Sequence, residues 1–212
     1  MLKILVVDDQ SIVRYGAALL IHEHFSDVKV DVAGDVNEMV TALLTTSYNV
    51  ILLDINIPGG NDFGMLDIIR LRQPKVKILI FSGYPESIYA RRYISEGAHG
   101  YLSKLSAEKE LKVAINTVLQ GKVYMSSSLK HELDTMQPGQ THTDDNPFHT
   151  LSDRELEVLN LLVVEGLGLM QISSRLNVQL STVSTYKRRI FEKLNVGNII
   201  ELGEKARLYK LL

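Results

Sequence analysis

Five short aliphatic and β-branched runs punctuate the first 120 residues: KILVV at 3–7, VKVDVA at 28–33, NVILL at 49–53, KILIF at 77–81 and HGYL at 99–102. Helical stretches separate them, over roughly 11–25, 35–46, 62–73, 86–95 and 106–120. A strand that is apolar at consecutive positions has to be covered on both faces, and strands alternating with helices are joined by crossovers that make them parallel. The pattern predicts an α/β doubly wound open sheet of five strands, with any ligand bound beyond the carboxyl ends of the strands.

Polar residues gather at those ends. The first run is followed by Asp8 and Asp9, the third by Asp54 and the fourth by Ser82, while the fifth runs into Lys104. Neighbouring residues on a strand face opposite ways, so adjacent acids are not ordinary solvent-facing positions of one amphipathic strand. Taken alone, VVDD also fits an exposed turn in which Ser11 caps the next helix. Taken together, the strand ends place three carboxylates, a hydroxyl and an ammonium on one rim. Crowded carboxylates raise one another's pKa unless a cation offsets them, and Mg²⁺ accepts this kind of oxygen donor. A carboxylate beside Mg²⁺ can attack a phosphoryl group, with Lys104 and Ser82 contacting the phosphoryl oxygens.

The composition then changes. Residues 126–150 are rich in Ser, Thr, Pro, Asp and Asn; LKHELDTM reads as a short helix and QPGQTHTDDNP as linker. From LSDRE onward everything is helical, over about 152–165, 168–176, 180–194 and 198–210. Residues 1–149 hold 14 Lys+Arg against 18 Asp+Glu, whereas 150–212 hold 9 against 7, so the mildly basic part is the one suited to a polyanion. With no cysteine, a disulfide framework or thiolate metal site is excluded. His22 and His24 are two apart, and His142 and His149 fall in loop-like sequence, so no helical metal pair exists. No apolar run spans a bilayer, and ILVV is too short for a signal-peptide core, so the expected location is the cytoplasm and no membrane partner is expected.

In the segment 180–194, Val183, Tyr186, Ile190 and Leu194 recur at helical spacing and mark a core-facing side. Ser181, Ser184, Thr185 and Arg188, with Lys187 and Lys193 alongside, lie on the other side. Such side chains suit phosphate contacts and base-edge reading, although a solvated charged face looks the same in sequence. With 168–176 before it and NVQL between, the pair has the spacing of a helix-turn-helix.

VVDD, LLDINIPGGNDFGMLDIIR, FSGY and GAHGYLSK resemble the motifs of the receiver domain of two-component response regulators, over residues 1–122. The resemblance implies a flavodoxin-like sheet of order 2-1-3-4-5. It implies that Asp54 takes a phosphoryl group from a sensor histidine kinase, and that Asp9, Asp54 and the backbone carbonyl of Asn56 hold Mg²⁺ beside Asp8. Lys104 matches the phosphate-pairing lysine, Ser82 the switch hydroxyl, Tyr101 the switch aromatic, and Pro58 and Gly59 the turn after the phosphoacceptor. Gly83 leaves the site open to small phosphodonors, and Tyr84 is expected to slow hydrolysis by shielding the phosphate. A phosphoacceptor of this kind is not a turnover enzyme.

LSDRELEVLNLLVVEG and QISSRLNVQLSTVSTYKRRIFEKLNV resemble the DNA-binding domain of NarL/LuxR-type (FixJ) regulators over 150–212, a small all-α four-helix domain. That implies DNA contacts from Ser181, Thr182, Ser184, Thr185, Lys187, Arg188 and Lys193, and a homodimer on double-stranded promoter half-sites. Ser184 and Tyr186 depart from the lysine and histidine usual there. The last segment, IIELGEKARLYKLL, has an apolar stripe for a dimer seam or for its own domain. Residues 123–149 are left as linker. The rivals are a Mg²⁺-dependent phosphohydrolase, for which no general acid is visible, and a constitutive DNA-binding protein, which normally has lost part of the acidic site.

Overall fold

The computed structural model describes residues 1–57, 60, 64–127, 129–130, 146–209 and 211. The chain divides into two compact units, Met1–Gln137 and Pro138–Leu212.

In the first unit, β1 (Leu2–Val7), α1 (Ser11–His24), β2 (Val28–Ala33), α2 (Val36–Thr45) and β3 (Val50–Leu53) are followed by α3 (Gly64–Arg72), β4 (Lys77–Ser82), α4 (Glu86–Ser95), β5 (Gly100–Ser103) and α5 (Glu108–Leu119). The strands form one sheet, every pairing parallel as the sequence pattern predicts, in the order β2-β1-β3-β4-β5 that the resemblance implies. Alternation along the strands splits the core into two layers. Ile4, Val6, Val50, Leu52, Leu79 and Leu102 pack against Ala17 and Ile21 of α1 and Leu111, Ala114, Ile115 and Val118 of α5. Leu5, Val7, Ile51, Leu53, Ile78 and Ile80, the intervening residues, are equally buried. The outer strand β2 differs from the expectation: it keeps Lys29 and Val32 exposed, because an edge strand lacks cover on one side. Ser11 is the first residue of α1 and does not cap it; Gln10 holds the cap position without a side-chain hydrogen bond.

The opposite edge, β5, is covered by chain expected to be linker. Tyr124 bridges Gly100 in parallel, its N–H donating to the His99 carbonyl at 3.0 Å. Tyr124 and Leu129 are buried, and Ser126 N–H donates to the Glu86 carboxylate at 2.8 Å. The start of the stretch expected to be linker is thus tied to the receiver through Tyr124 and Ser126. Most of LKHELDTM, and the Pro58-Gly59 turn, lie outside the described residues.

The second unit opens with a 3-10 helix (Pro147–Thr150), also placed in the linker by the sequence reading, whose Phe148 is fully buried edge-on against Tyr209. Then come α6 (Asp153–Val163), α7 (Leu169–Leu176), α8 (Leu180–Leu194) and α9 (Ile199–Leu208). Ser152 and Glu155 form a reciprocal capping box at the start of α6. Helix α7 ends at Asn177 and α8 at Asn195, both in the left-handed region (φ 51° and 50°), which asparagine tolerates. Leu156, Leu159, Ile172, Val183, Ile190, Leu194, Leu202 and Ala206 form the core. No helix among the described residues is long and apolar enough to cross a membrane.

Candidate phosphoacceptor site and nucleic-acid interface

Strand register builds the acidic rim. Val7 pairs with Leu53 and Leu53 with Ile80, so Asp8 and Asp54 leave the sheet side by side. Ser82 pairs with Ser103, which carries Lys104 to the same edge. The ladders continue one residue beyond the strands: Asp8 N–H donates to Ala33 O at 3.0 Å, Asp54 N–H to Val7 O at 2.9 Å and Lys104 N–H to Ser82 O at 2.8 Å. Backbone pairing thus fixes each polar residue at its root.

Asp8, Asp54 and Ser82 are buried, while Asp9 is exposed. The Lys104 ammonium lies 2.6 Å from Asp8 Oδ2 and 2.9 Å from Asp54 Oδ2. Asp54 Oδ1 accepts the Ile55 N–H at 2.8 Å, and Asp8 Oδ1 accepts the Gln10 N–H at 2.9 Å. Burial pushes the Asp54 carboxyl up to about 6, with Asp8 adding to the rise; Lys104 and the Ile55 N–H pull it down without cancelling the burial. Burial alone would lower the Lys104 pKa, but the two carboxylates outweigh it and hold the ammonium above its usual range.

Asp8, Asp9 and Asp54 each place a carboxylate oxygen within 4.8 Å of the others. Three hard oxygen donors against a single ammonium fit a small divalent cation such as Mg²⁺. Asn56 lies two residues beyond Asp54, half-buried in the loop after β3. Around the hydroxyl, Ser82 Oγ accepts the Tyr84 N–H at 3.2 Å. Tyr101 is fully buried, and its hydroxyl donates to the Tyr84 carbonyl at 2.8 Å. Burial, joined by the charges of Asp54 and Glu86, raises the Tyr101 pKa against the smaller effect of Ser82, so the phenol stays a neutral donor.

On α8, Ser181, Ser184 and Arg188 are exposed, and Thr182, Thr185 and Lys187 partly so. Ser184 and Thr185 hydroxyls donate back to Leu180 O and Ser181 O at 3.0 and 2.9 Å, leaving their oxygen lone pairs to accept. Lys187 lies over the Phe191 ring and Arg188 pairs with Glu192 at 2.8 Å, both along a shallow depression running to Asn195. The core face is as expected for Val183, Ile190 and Leu194, whereas Tyr186 is only half-buried.

Lys193 is engaged within its own domain. Its ammonium lies 2.6 Å from the buried Glu155 carboxylate and donates to Thr150 O at 3.1 Å, because Glu155 needs a counter-charge once the capping box has drawn it inside. Sequence reading missed this pair, as it missed Arg14, whose guanidinium contacts the backbone of the acidic pair. The available signals were a Glu at the third position of a capping box and a basic residue one turn into α1.

Residues 4–116 match the family described as "Response regulator receiver domain", and residues 149–206 that described as "Bacterial regulatory proteins, luxR family". The chain is 33% identical over 218 residues to the oxygen regulatory protein NreC of Staphylococcus epidermidis, spanning 100% of this chain and 99% of the relative. It is a response regulator of the NarL/LuxR family. The response regulator UvrY of Escherichia coli is 32% identical over 212 residues, covering 97% of this chain and 94% of its own. Among solved structures, RcsB of Salmonella enterica serovar Typhimurium, bound to the promoter rprA with the phosphomimetic BeF3-, shares the fold at a TM-score of 0.69 and 22% identity, covering 97% of this chain and 98% of that one. This response regulator therefore joins a receiver domain to a LuxR-type DNA-binding domain.

Proposed function

We propose that Asp54 accepts a phosphoryl group from a sensor histidine kinase in a Mg²⁺-dependent reaction, and that the phosphorylated regulator binds promoter half-sites as a dimer in the cytoplasm to control transcription. The observation that carries the reading is the buried Asp54 carboxylate, 2.9 Å from Lys104 and within 4.8 Å of Asp8 and Asp9 oxygens. Asp9, Asp54 and the Asn56 carbonyl, beside Asp8, are the residues that would hold Mg²⁺, which supplies positive charge against phosphoryl oxygens. The Asp54 oxygen attacks phosphorus as the bond to the donor's imidazole nitrogen breaks, leaving an acyl phosphate on Asp54. Lys104 then exchanges its carboxylate partner for a phosphoryl oxygen, and the Ser82 hydroxyl donates to another. Drawing Ser82 toward the phosphate changes the packing beside Tyr101, whose hydrogen bond to Tyr84 O ties the loop after β4 to β5. The group is taken up stoichiometrically, with at most slow self-dephosphorylation, and Tyr84 beside the site slows it.

Helix α8 supports the DNA reading, with Ser181, Thr182, Ser184, Thr185, Lys187 and Arg188 as contacts and Lys193 withdrawn. One face of α9 packs inward through Leu202 and Ala206 while Ile200 and Leu208 stay exposed, which suits a dimer seam. Acetyl phosphate and Mg²⁺ given to the wild type and to Asp54→Asn test the proposal by intact mass and assembly state. One phosphoryl group on the wild type alone, with a shift toward dimer, is expected. No adduct and no binding of beryllofluoride would leave the receiver as an interaction module only.

A further inference from the structure

Of the three rim carboxylates, two are held by their own side chains. Asp8 is tied to Gln10 N–H and Lys104, and Asp54 to Ile55 N–H and Lys104. The third, Asp9, is exposed, and among the described residues no hydrogen bond or ion pair holds its carboxylate. Its direction is set by its backbone alone. That backbone is gripped from α1: Arg14 Nη1 donates to the Asp8 carbonyl at 2.6 Å and to the Asp9 carbonyl at 3.0 Å. The guanidinium has room to do so because residue 34 is glycine. A Cβ there would lie 3.2 Å from Arg14 Nη1 and 3.4 Å from Cζ.

We infer that Arg14 is a positioning residue for the cation site, fixing the Asp8-Asp9 peptide so that the otherwise unheld Asp9 carboxylate is already aimed at the metal. The inference rests on the Mg²⁺ reading above. The effect that favours binding is pre-organisation. A pre-set peptide spares the ordering entropy that a free Asp9 loses when it binds a cation. The guanidinium's own charge opposes the incoming cation, but it is committed to two carbonyls behind the rim and occupies no ligand position, so the pre-set peptide is what favours binding. Both bonds leave a single nitrogen, Nη1, so a lysine ammonium can reproduce them in part on its shorter, unbranched stem.

The test is Mg²⁺ titration of the full chain by calorimetry, with urea unfolding of the same samples. Arg14→Met is expected to weaken Mg²⁺ binding about tenfold, and Arg14→Lys to recover part of that affinity by donating to the same two carbonyls. Gly34→Ala, which leaves Arg14 in place but crowds its guanidinium, should weaken binding in the same direction. Asp9→Asn serves as the reference for losing the carboxylate itself. A lower unfolding midpoint with unchanged Mg²⁺ affinity in both Arg14→Met and Gly34→Ala would make Arg14 a mere staple between α1 and β1 and overturn the inference. Failure of the wild type to bind Mg²⁺ would instead sink the metal reading, and this inference with it.

Discussion

The backbone N–H of Tyr101 donates to the carbonyl of Tyr124 at 3.0 Å, so the strand carrying this buried aromatic is hydrogen-bonded to the chain that leaves the receiver. The contact depends on Gly100, where a Cβ would sit 2.8 Å from both the Cβ and the carbonyl oxygen of Tyr124. Gly100→Ala is expected to force that segment off the edge and to cost the receiver about 1–3 kcal/mol. Urea unfolding measures the cost, and hydrogen exchange at the Tyr124 amide shows whether the edge has opened. An unchanged midpoint and a protected amide would contradict the packing described.

The raised pKa of Asp54 has a sign. Its folded value of about 6 exceeds the ordinary 3.8, so the folded state keeps this proton longer than the unfolded chain does. The group therefore penalises folding progressively as pH rises from about 4 to about 6, by on the order of 3 kcal/mol in full. Without divalent metal, Asp54→Asn should be more stable than the wild type at pH 7, and the advantage should vanish near pH 4. Equal midpoints across that range would show that burial is not what governs the carboxylate.

Glu155 behaves in the opposite way. Burial pushes its pKa up, but Lys193 and the Ser152 contacts more than offset that and hold it below 4.5. Its contribution is present above the ordinary carboxylate value and is lost as pH falls through the lower, folded one. Lys193→Met should cost the C-terminal domain about 1–2 kcal/mol near pH 7, discounted because the lysine is 39% exposed, and should remove this acid-dependent loss. Thermal unfolding of the domain's transition at two pH values checks both parts.

Lys187→Ala and Arg188→Ala should leave the unfolding midpoint within about 0.5 kcal/mol of wild type, since neither side chain enters the core. Each should weaken promoter DNA binding and lower the slope of log affinity against log salt by about one for each phosphate left unneutralised. Lys193→Met should leave that slope unchanged. A reduced slope for Lys193→Met would return Lys193 to the DNA-facing set.

Tyr101→Phe removes one buried hydrogen bond and leaves the Tyr84 carbonyl without that donor, at a cost of about 1 kcal/mol. If the ring acts as the switch, the variant should keep phosphoryl uptake at Asp54 while its phosphorylation-dependent dimerisation changes. Intact mass and sedimentation velocity separate the two.

By itself the sequence determined what depends on local periodicity. Fully apolar runs alternating with helices dictated a parallel sheet, and that topology dictated that Asp8, Asp9, Asp54, Ser82 and Lys104 meet at one rim. The spacing of Val183, Ile190 and Leu194 revealed the buried face of α8 in the same way. Only the tertiary structure decided which partner each polar group takes. Lys193 and Lys187 look alike in the sequence, yet one closes on Glu155, 38 residues earlier, and the other lies over Phe191. Tyr124 sits in linker-like sequence but completes a sheet edge, and Arg14 looks like any surface arginine until the turn from β1 into α1 brings two carbonyls to it. Those choices turn on burial and on distances of a few tenths of an ångström, for Lys193 and Tyr124 between residues far apart in the chain, which composition and periodicity do not encode.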